Sequence, residues 1–312
     1  MDTWLATGPG DRFFQAMREG GHPCWLGAFP IQDRYLDMLD PKDFRFFLDS
    51  GAYSAWSRNT VIDLDEYCAF IRANIELIDV YASLDVIPGS PGQHTTEKMR
   101  HEAAEQSWAN YLYMVGEGLD PLPVYHYGED MMYLERMLEH ELPYIGIGGL
   151  VGIPGERRRL WLDRVFERIT TEDGRPIVKT HGFGMTSIPL IFRYPWYSVD
   201  STTWIKVTAM GAVYLPAVVN GEFVFDRVPE VVSVSTSNPK QRQGGKGANT
   251  MVPSTRAVLD KWLAMCGQTY DEVCKDYYHR AVCNVAFFKR VSEAKADRPF
   301  QRGAVKRGTM WG

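Results

Sequence analysis

The middle of the chain alternates short apolar runs with amphipathic stretches, which is the pattern of repeated β-α units. Apolar residues at helical spacing lie on one face in residues 65–78, 130–141 and 157–169. Seven apolar runs are predicted strands: 24–29, 44–48, 80–85, 123–127, 144–147, 177–180 and 197–199. No glycine-rich turn of the Rossmann type follows the first of them. This pattern predicts an α/β fold, a (β/α)8 TIM-type barrel whose eighth strand stays unassigned.

After the seventh predicted strand the pattern changes. Residues 213–219 and 222–228 flank Asn220-Gly221, which predicts a β-hairpin with a type I′ turn. A polar, glycine-rich loop over 235–250 follows, and then two helical stretches, 254–266 and 271–291. We therefore predict a single catalytic barrel domain over 1–312. Within it, 206–250 form a hairpin and basic loop insertion, and 253–312 form C-terminal helices with a basic tail.

The amino-acid composition indicates which class of protein this is. Hydrophobic residues make up 45% and charged residues 23%, as in a globular protein with a packed core. The five cysteines are scattered, which favours reduced thiols over a disulfide framework. No apolar run approaches the roughly 18 residues of a membrane span, and the first residues lack a secretory pattern. We expect a cytoplasmic protein that does not enter a membrane.

The charge is unevenly distributed along the chain. The formal net charge is −5, which excludes nucleic-acid binding through an overall positive charge. Residues 289–307, however, contain seven basic residues and two acidic ones. Such a tail is either a solvated terminus or a segment that contacts phosphates, and the sequence leaves both open.

Chemically versatile residues follow several predicted strands, at the barrel end where functional groups cluster. They are Asp49-Ser50-Gly51-Ala52-Tyr53, Asp85, His126-Tyr127-Gly128-Glu129, Gly148-Gly149, His181-Gly182-Phe183-Gly184 and Asp200. Each has a structural alternative: an aspartate can cap a turn, a Gly-Gly pair can allow close packing, and a lone histidine can belong to the core. Three carboxylates at one mouth would nevertheless repel one another unless a ligand or the chemistry used them.

Two carboxylates on opposite sides of a glycosidic bond can carry out displacement at an anomeric carbon. A third carboxylate suits the N–H edge of a guanine-like base. Backbone N–H groups of Gly148-Gly149 could meet its O6 atom, and Tyr53 or Phe183 could stack on the ring.

In their order, these motifs resemble those of the tRNA-guanine transglycosylase superfamily, a (β/α)8 family. Asp49-Ser50-Gly51-Ala52-Tyr53 is similar to its Asp-Ser-Gly-Gly-Phe/Tyr motif, and Ile147-Gly148-Gly149-Leu150 to its base-binding Gly-Gly-Leu turn. The resemblance implies that Asp49 is the general acid/base, that Asp200 is the nucleophile and that Asp85 reads the base edge. His126 stands where the tRNA enzymes carry a polar amide and would also bind the base.

The chain looks most similar to the phage and bacterial DNA 7-deazaguanine transglycosylases. The resemblance then implies a pentosyltransferase that exchanges guanine in DNA for a 7-deazaguanine, such as the 7-cyano form, through a covalent Asp200 intermediate. It would work in the cytoplasm of a bacterium or a phage-infected cell. Lys240, Arg242, Lys246 and Trp204 would contact the nucleic acid. The alternatives are a queuine/preQ-type enzyme acting on tRNA, a retaining glycoside hydrolase and a nucleic-acid-binding barrel without activity.

The chain also departs from the tRNA enzymes, because it lacks their Cys-x-Cys-x2-Cys…His zinc motif. We therefore expect no cofactor. Cys266, Cys274, His279 and Cys283 could supply four zinc ligands, but they fall within predicted helices, where buried structural thiols are the alternative. The sequence leaves the oligomeric state open.

Overall fold

The computed structural model describes residues 1–6, 10–31, 33–237, 247–295 and 299–302. The strands are β1 Asp2–Ala6, β2 Cys24–Ala28, β3 Arg45–Asp49, β4 Val80–Tyr81, β5 Val124–His126, β6 Tyr144–Gly148, β7 Lys179–Gly182, β8 Ser198–Ser201, β9 Ala212–Leu215, β10 Ala217–Val219, β11 Glu222–Val224 and β12 Glu230–Ser233. The helices are α1 Asp11–Glu19, α2 Asp33–Leu36, α3 Ala52–Ser57, α4 Leu64–Ala73, α5 Glu97–Gly116, α6 Met131–Glu139, α7 Gly155–Arg168, α8 Ile188–Arg193, α9 Thr203–Ala209, α10 Pro253–Met265, α11 Tyr270–Lys275 and α12 Tyr277–Ala294.

Eight strands form one parallel sheet in the order β4-β3-β2-β1-β8-β7-β6-β5. The two edge segments approach each other. Leu122 N donates to Tyr81 O at 2.8 Å, and Ser83 N donates to Leu122 O at 2.8 Å. The sheet is therefore curled, with its carboxyl ends gathered at one edge. The predicted α/β fold with parallel strands and surrounding helices is confirmed at this level.

The strand that the sequence left unassigned is β1, at the start of the chain. It lies in the middle of the sheet, where Leu5 pairs with Trp25 of β2 and Thr3 pairs with Val199 of β8. A five-residue run of mixed polarity carries too little periodicity to reveal a strand. Its pairing comes from two neighbours that are distant in sequence, so the local pattern does not contain it.

Several other predicted boundaries are wrong, and two of them change where residues lie. The strand predicted over 80–85 ends at Tyr81, so Asp85 lies four residues beyond its strand and not at its end. The helix predicted over 271–291 is broken at Asp276, whose side chain accepts a hydrogen bond from Tyr278 N and caps α12.

Alternation along the strands separates an inner core from an outer one. Trp4, Leu26 and Phe47 belong to a small inner cluster, whereas their neighbours Leu5 and Trp25 belong to the large core against the helices. Successive side chains of a strand point to opposite faces, and here both faces are covered. The inner cluster underlies the carboxyl-end site.

The predicted hairpin is confirmed. β10 pairs antiparallel with β11, and Asn220 and Gly221 both have positive φ, 51° and 85°. The run predicted over 213–219 forms two strands, because β9 pairs with β12 instead. The C-terminal helices dock through α12, whose buried Asn284 side chain accepts from Tyr214 N and donates to Thr208 Oγ1. Within the described part of the chain, no helix is both long and apolar enough to cross a bilayer.

Candidate active site

Asp49 is the last residue of β3 and is placed by a turn that needs glycine. Gly51 has a φ of 78°, and a Cβ there would lie 2.1 Å from Phe29 O, so only glycine fits. The nearby backbone N–H groups of Ser50 and Gly51 favour the charged form of Asp49. Burial and then the charges of Asp85 and Asp200 nevertheless raise the pKa of Asp49 to about 7.

Asp200 lies within β8, between β1 and β7, and is 5% exposed. Its Oδ1 accepts a hydrogen bond of 2.6 Å from Gly184 N, in the loop that follows β7. Gly184 has a φ of 62°, a conformation that glycine adopts without strain. This turn therefore fixes the orientation of the Asp200 carboxyl group.

His181 of β7 lies beside Asp200, with its Nε2 3.4 Å from Asp200 Oδ1. The contact is electrostatic and is not a formed hydrogen bond. The imidazole is fully buried between the rings of Phe47 and Phe183. Burial lowers the pKa of His181 against the opposing effect of Asp200, so the ring is neutral at neutral pH.

A second histidine lies between two carboxylates. His126 Nε2 is 2.8 Å from Asp85 Oδ2, and its Nδ1 is 3.1 Å from Glu129 Oε1. Burial alone would lower the pKa of His126. The charge of Glu129 and the hydrogen bonds to both carboxylates override that effect and raise the pKa to about 10. Ser50 Oγ completes the cluster by donating to Asp85 Oδ1 at 3.0 Å.

The Gly148-Gly149 pair lies against this histidine. A Cβ on Gly148 would lie 3.0 Å from His126 Cδ2 and 2.9 Å from Val124 Cγ1. Gly149 has a φ of 70°, and a Cβ there would lie 2.9 Å from Tyr127 N. The absence of side chains at these two positions therefore allows β6 to pass close to His126.

The structure thus brings Asp49, Asp85 and Asp200 into one electrostatic group, with His126 beside Asp85 and Gly148 beside His126. Tyr53 lies on α3, is 57% exposed and makes a tilted contact with Trp56.

The prediction that Trp204 contacts nucleic acid is wrong. Trp204 is 0% exposed, its Nε1 donates to Ala6 O at 3.2 Å, and its ring packs edge-on against Phe13. The indole is a core side chain and cannot reach a ligand in solvent.

Lys240, Arg242 and Lys246 lie outside the described residues. In the described part of the basic tail, Arg302 donates to the carbonyl oxygens of Glu167, Thr170 and Thr171. Arg290 pairs with Glu293 at 3.0 Å. These two arginines are thus engaged in contacts within the chain.

The suggested zinc ligands do not form a metal site. His279 Nδ1 lies 2.5 Å from Gln268 Oε1, and Cys274 Sγ donates to Asp271 O at 3.2 Å. Cys283 lies beside Cys266, both as free thiols. Across the described ranges, no group of three or more His, Cys, Asp or Glu side chains could hold a metal ion.

Sequence reasoning assigned no individual role to Ser50, Glu129 or Ser198, and treated His181 only as a core or motif residue. Glu129 stands three residues after His126, a spacing at which a turn can return the carboxylate to the ring. Ser50 and Ser198 gave no such signal, because their partners lie on other strands.

Comparison with known proteins gives little. No family model and no curated protein matches the chain. Among solved structures, the chain is similar to one described as the 4-hydroxy-2-oxoglutarate aldolase/2-deydro-3-deoxyphosphogluconate aldolase from TTHB1. The identity is 14%, the TM-score is 0.36, and the match covers 65% of this chain and 84% of that one. This similarity is too low to transfer an activity.

One expectation is corrected by these findings. The motifs predicted guanine exchange in DNA or tRNA, with glycoside hydrolysis as an alternative. The comparisons return an aldolase and no family or curated match that would support the prediction. Of the four predicted nucleic-acid contacts, Trp204 is the one that is described, and it is buried. We therefore withdraw the transglycosylase function.

Proposed function

We propose that this chain is an enzyme that uses acid–base catalysis at the carboxyl ends of the strands of a (β/α)8-type barrel. Asp49 transfers the proton, and Asp200 acts as the carboxylate that faces the reacting centre. The observation that carries the proposal is the position of Asp49, which is partly buried at the end of β3 beside two other carboxylates that help to raise its pKa to about 7.

A group with a pKa near the working pH is the most effective proton-transfer catalyst, since both of its forms are populated. An acid–base pair requires two groups whose environments favour different protonation behaviour, and the environments of Asp49 and Asp200 differ. Asp49 is destabilised as an anion by its neighbours, whereas Asp200 Oδ1 accepts a short backbone hydrogen bond.

The charge of the site limits the substrate. Asp49, Asp85, Asp200 and Glu129 supply carboxyl groups, and His126 supplies one positive charge. An anion entering this site would meet net repulsion, so the substrate is a neutral or cationic polar molecule with hydrogen-bond donors. The partly buried Phe183 supplies an apolar contact beside the carboxylates.

The test is a turnover screen in D2O, followed by NMR. Small neutral and cationic polar compounds, each with an anionic counterpart, are incubated with the wild type and with Asp49→Asn, Asp200→Asn and Asp226→Asn variants. We expect conversion or deuterium incorporation with a neutral or cationic compound, reduced about 10³-fold in Asp49→Asn. Asp226, on the exposed segment after β11, is the control and should have no effect.

Retained turnover in Asp49→Asn, or turnover of anionic compounds alone, would contradict the proposal. A second readout needs no substrate. The 13C signal of the Asp49 carboxyl should titrate with a midpoint of about 7. A midpoint near the ordinary value for aspartate, about 4, would remove the basis for the acid–base role.

A further inference from the structure

A line of polar groups runs through the buried interior towards Asp200. Tyr144 Oη lies 2.5 Å from Ser198 Oγ, and Ser198 Oγ lies 2.6 Å from His181 Nδ1. On its other side, His181 presents Nε2 to Asp200 Oδ1 at 3.4 Å. Ser198 and His181 are both 0% exposed. The three residues come from the neighbouring strands β6, β7 and β8, so the sheet itself aligns them.

With a neutral imidazole, two arrangements of the protons satisfy these distances and use the Ser198 hydroxyl proton within the line. In the first, Tyr144 donates to Ser198, Ser198 donates to His181 Nδ1, and the ring proton is on Nε2, facing Asp200. In the second, the ring proton is on Nδ1 and is donated to Ser198, which donates to Tyr144. A third, in which Ser198 accepts from both Tyr144 and His181 Nδ1, leaves the Ser198 hydroxyl proton without an acceptor among the described residues and turns the Nε2 lone pair towards Asp200.

The second arrangement is disfavoured at both ends. It places the lone pair of His181 Nε2 against the Asp200 carboxylate, which is repulsive inside a buried site. It also leaves the Tyr144 hydroxyl proton without an acceptor among the described residues, since Ser198 is its hydrogen-bond partner there. The first arrangement gives every proton an acceptor or a facing carboxylate.

We propose that Ser198 and Tyr144 hold His181 with its proton on Nε2, and that His181 is a positioning residue that presents this N–H to the Asp200 carboxylate. The inference rests on the proposed function in that Asp200 is taken as catalytic. His181 and Gly184 then fix Oδ1 from two directions. Oδ2 accepts no hydrogen bond from the described residues and is the oxygen that a substrate reaches.

The test is the tautomer of His181, measured by 15N NMR of histidine-labelled protein between about pH 6 and pH 8. We expect the proton on Nε2 in the wild type. In Ser198→Ala the donor to Nδ1 is lost, and we expect a mixture of tautomers. Tyr144→Phe keeps the ring and should weaken the preference less, and it serves as the test if Ser198→Ala does not fold. Ser201→Ala, a buried serine on the same strand that bonds Thr203, should leave the wild-type signal unchanged.

A wild-type proton on Nδ1, or a tautomer unchanged in both Ser198→Ala and Tyr144→Phe, would overturn the inference. On a substrate found by the turnover screen, Ser198→Ala should lower kcat about 10-fold with little change in KM, since it disturbs alignment rather than binding. The wrong tautomer with an inactive Asp49→Asn variant overturns this inference alone. The expected tautomer with an active Asp49→Asn variant overturns the acid–base proposal and leaves the His181 arrangement standing.

Discussion

Two aspartate–histidine pairs lie at the carboxyl edge of the sheet, and they carry opposite protonation states. His126 lies 2.8 Å from Asp85, and its pKa is raised to about 10. His181 lies 3.4 Å from Asp200, and its pKa is lowered. Both imidazoles are buried, so burial does not distinguish them.

The difference lies in the second partner of each ring. The other nitrogen of His126 meets the Glu129 carboxylate, whereas the other nitrogen of His181 meets the Ser198 hydroxyl. Burial disfavours an imidazolium in both places, and two carboxylates overcome this cost where one carboxylate and a hydroxyl do not. The second contact of a buried histidine thus decides its charge.

The two sides therefore suit different tasks. Both oxygens of Asp85 already accept hydrogen bonds, from Ser50 and His126. That side is a filled ionic cluster that fixes the shape of the site. On the other side Asp200 keeps one oxygen without a hydrogen bond among the described residues. In the proposed function, the reacting group therefore meets Asp200 and not Asp85.

Replacing Glu129 by glutamine should remove the difference in charge between His126 and His181. The Glu129→Gln variant keeps the shape of the side chain but removes the charge that makes His126 an imidazolium. We expect the pKa of His126 to fall from about 10 towards its ordinary value. Breaking a buried ion pair should lower the free energy of unfolding by about 3 kcal/mol at neutral pH. Urea unfolding and NMR titration of His126 measure both effects.

The charge on His126 also makes the free energy of unfolding depend on pH. A histidine with a raised folded-state pKa stabilises fully below its unfolded value of 6.5, and this stability is lost as the pH rises through about 10. The wild type should lose this contribution over that window, and Glu129→Gln should not. Glu139→Gln, an exposed change in the last turn of α6, is the control. Equal pH profiles for the two variants would refute the role of Glu129.

Removing the charge of Asp49 should relieve repulsion on both sides of the site, because this carboxyl group interacts with Asp85 and with Asp200. Its folded-state pKa of about 7 exceeds its unfolded value of 3.8, so its contribution to stability is full below 3.8 and is lost as the pH rises through about 7. Asp49→Asn escapes this loss. We expect it to be more stable than the wild type by about 2 kcal/mol at about pH 8, with little difference near pH 4.

Thermal or urea unfolding at the two pH values measures this effect, and Asp226→Asn should match the wild type at both. A variant destabilised at about pH 8 would show that Asp49 is held by favourable contacts and is not strained. Gain of stability together with loss of turnover would identify Asp49 as a group retained for catalysis.

The sequence predicted the parts of the site that lie next to a strand in the chain. Asp49 and Asp200 could be located because each stands in a short polar segment directly after an apolar run. The hairpin was predictable for a similar reason, since Asn220-Gly221 is a local turn signal.

The contacts that determine charge could not be predicted in this way. Ser50 meets Asp85 across 35 residues, and Tyr144 meets Ser198 across 54. Contacts between residues so far apart in sequence can be predicted only when the strand order is known. That order depends on β1, which the periodicity of the sequence did not reveal. The prediction that Trp204 contacts nucleic acid was wrong for a related reason. Trp204 is buried by Ala6 and Phe13, which lie at the other end of the chain.

The smallest expected effect comes from Ser50→Ala. Ser50 is fully buried, and its hydroxyl donates to Asp85 Oδ1 at 3.0 Å. Ser50→Ala loses this bond to a charged group and the longer one that Ser50 Oγ accepts from Ala52 N at 3.3 Å, which should lower the free energy of unfolding by about 1.5 kcal/mol. His126 keeps its contacts with Asp85 Oδ2 and Glu129, so its pKa should stay close to the wild-type value. Ser57→Ala, which removes a hydroxyl from the exposed end of α3, is the matched control. If Ser50→Ala lowers the pKa of His126 as far as Glu129→Gln does, then the charge of that side depends on the orientation of Asp85 rather than on the second carboxylate.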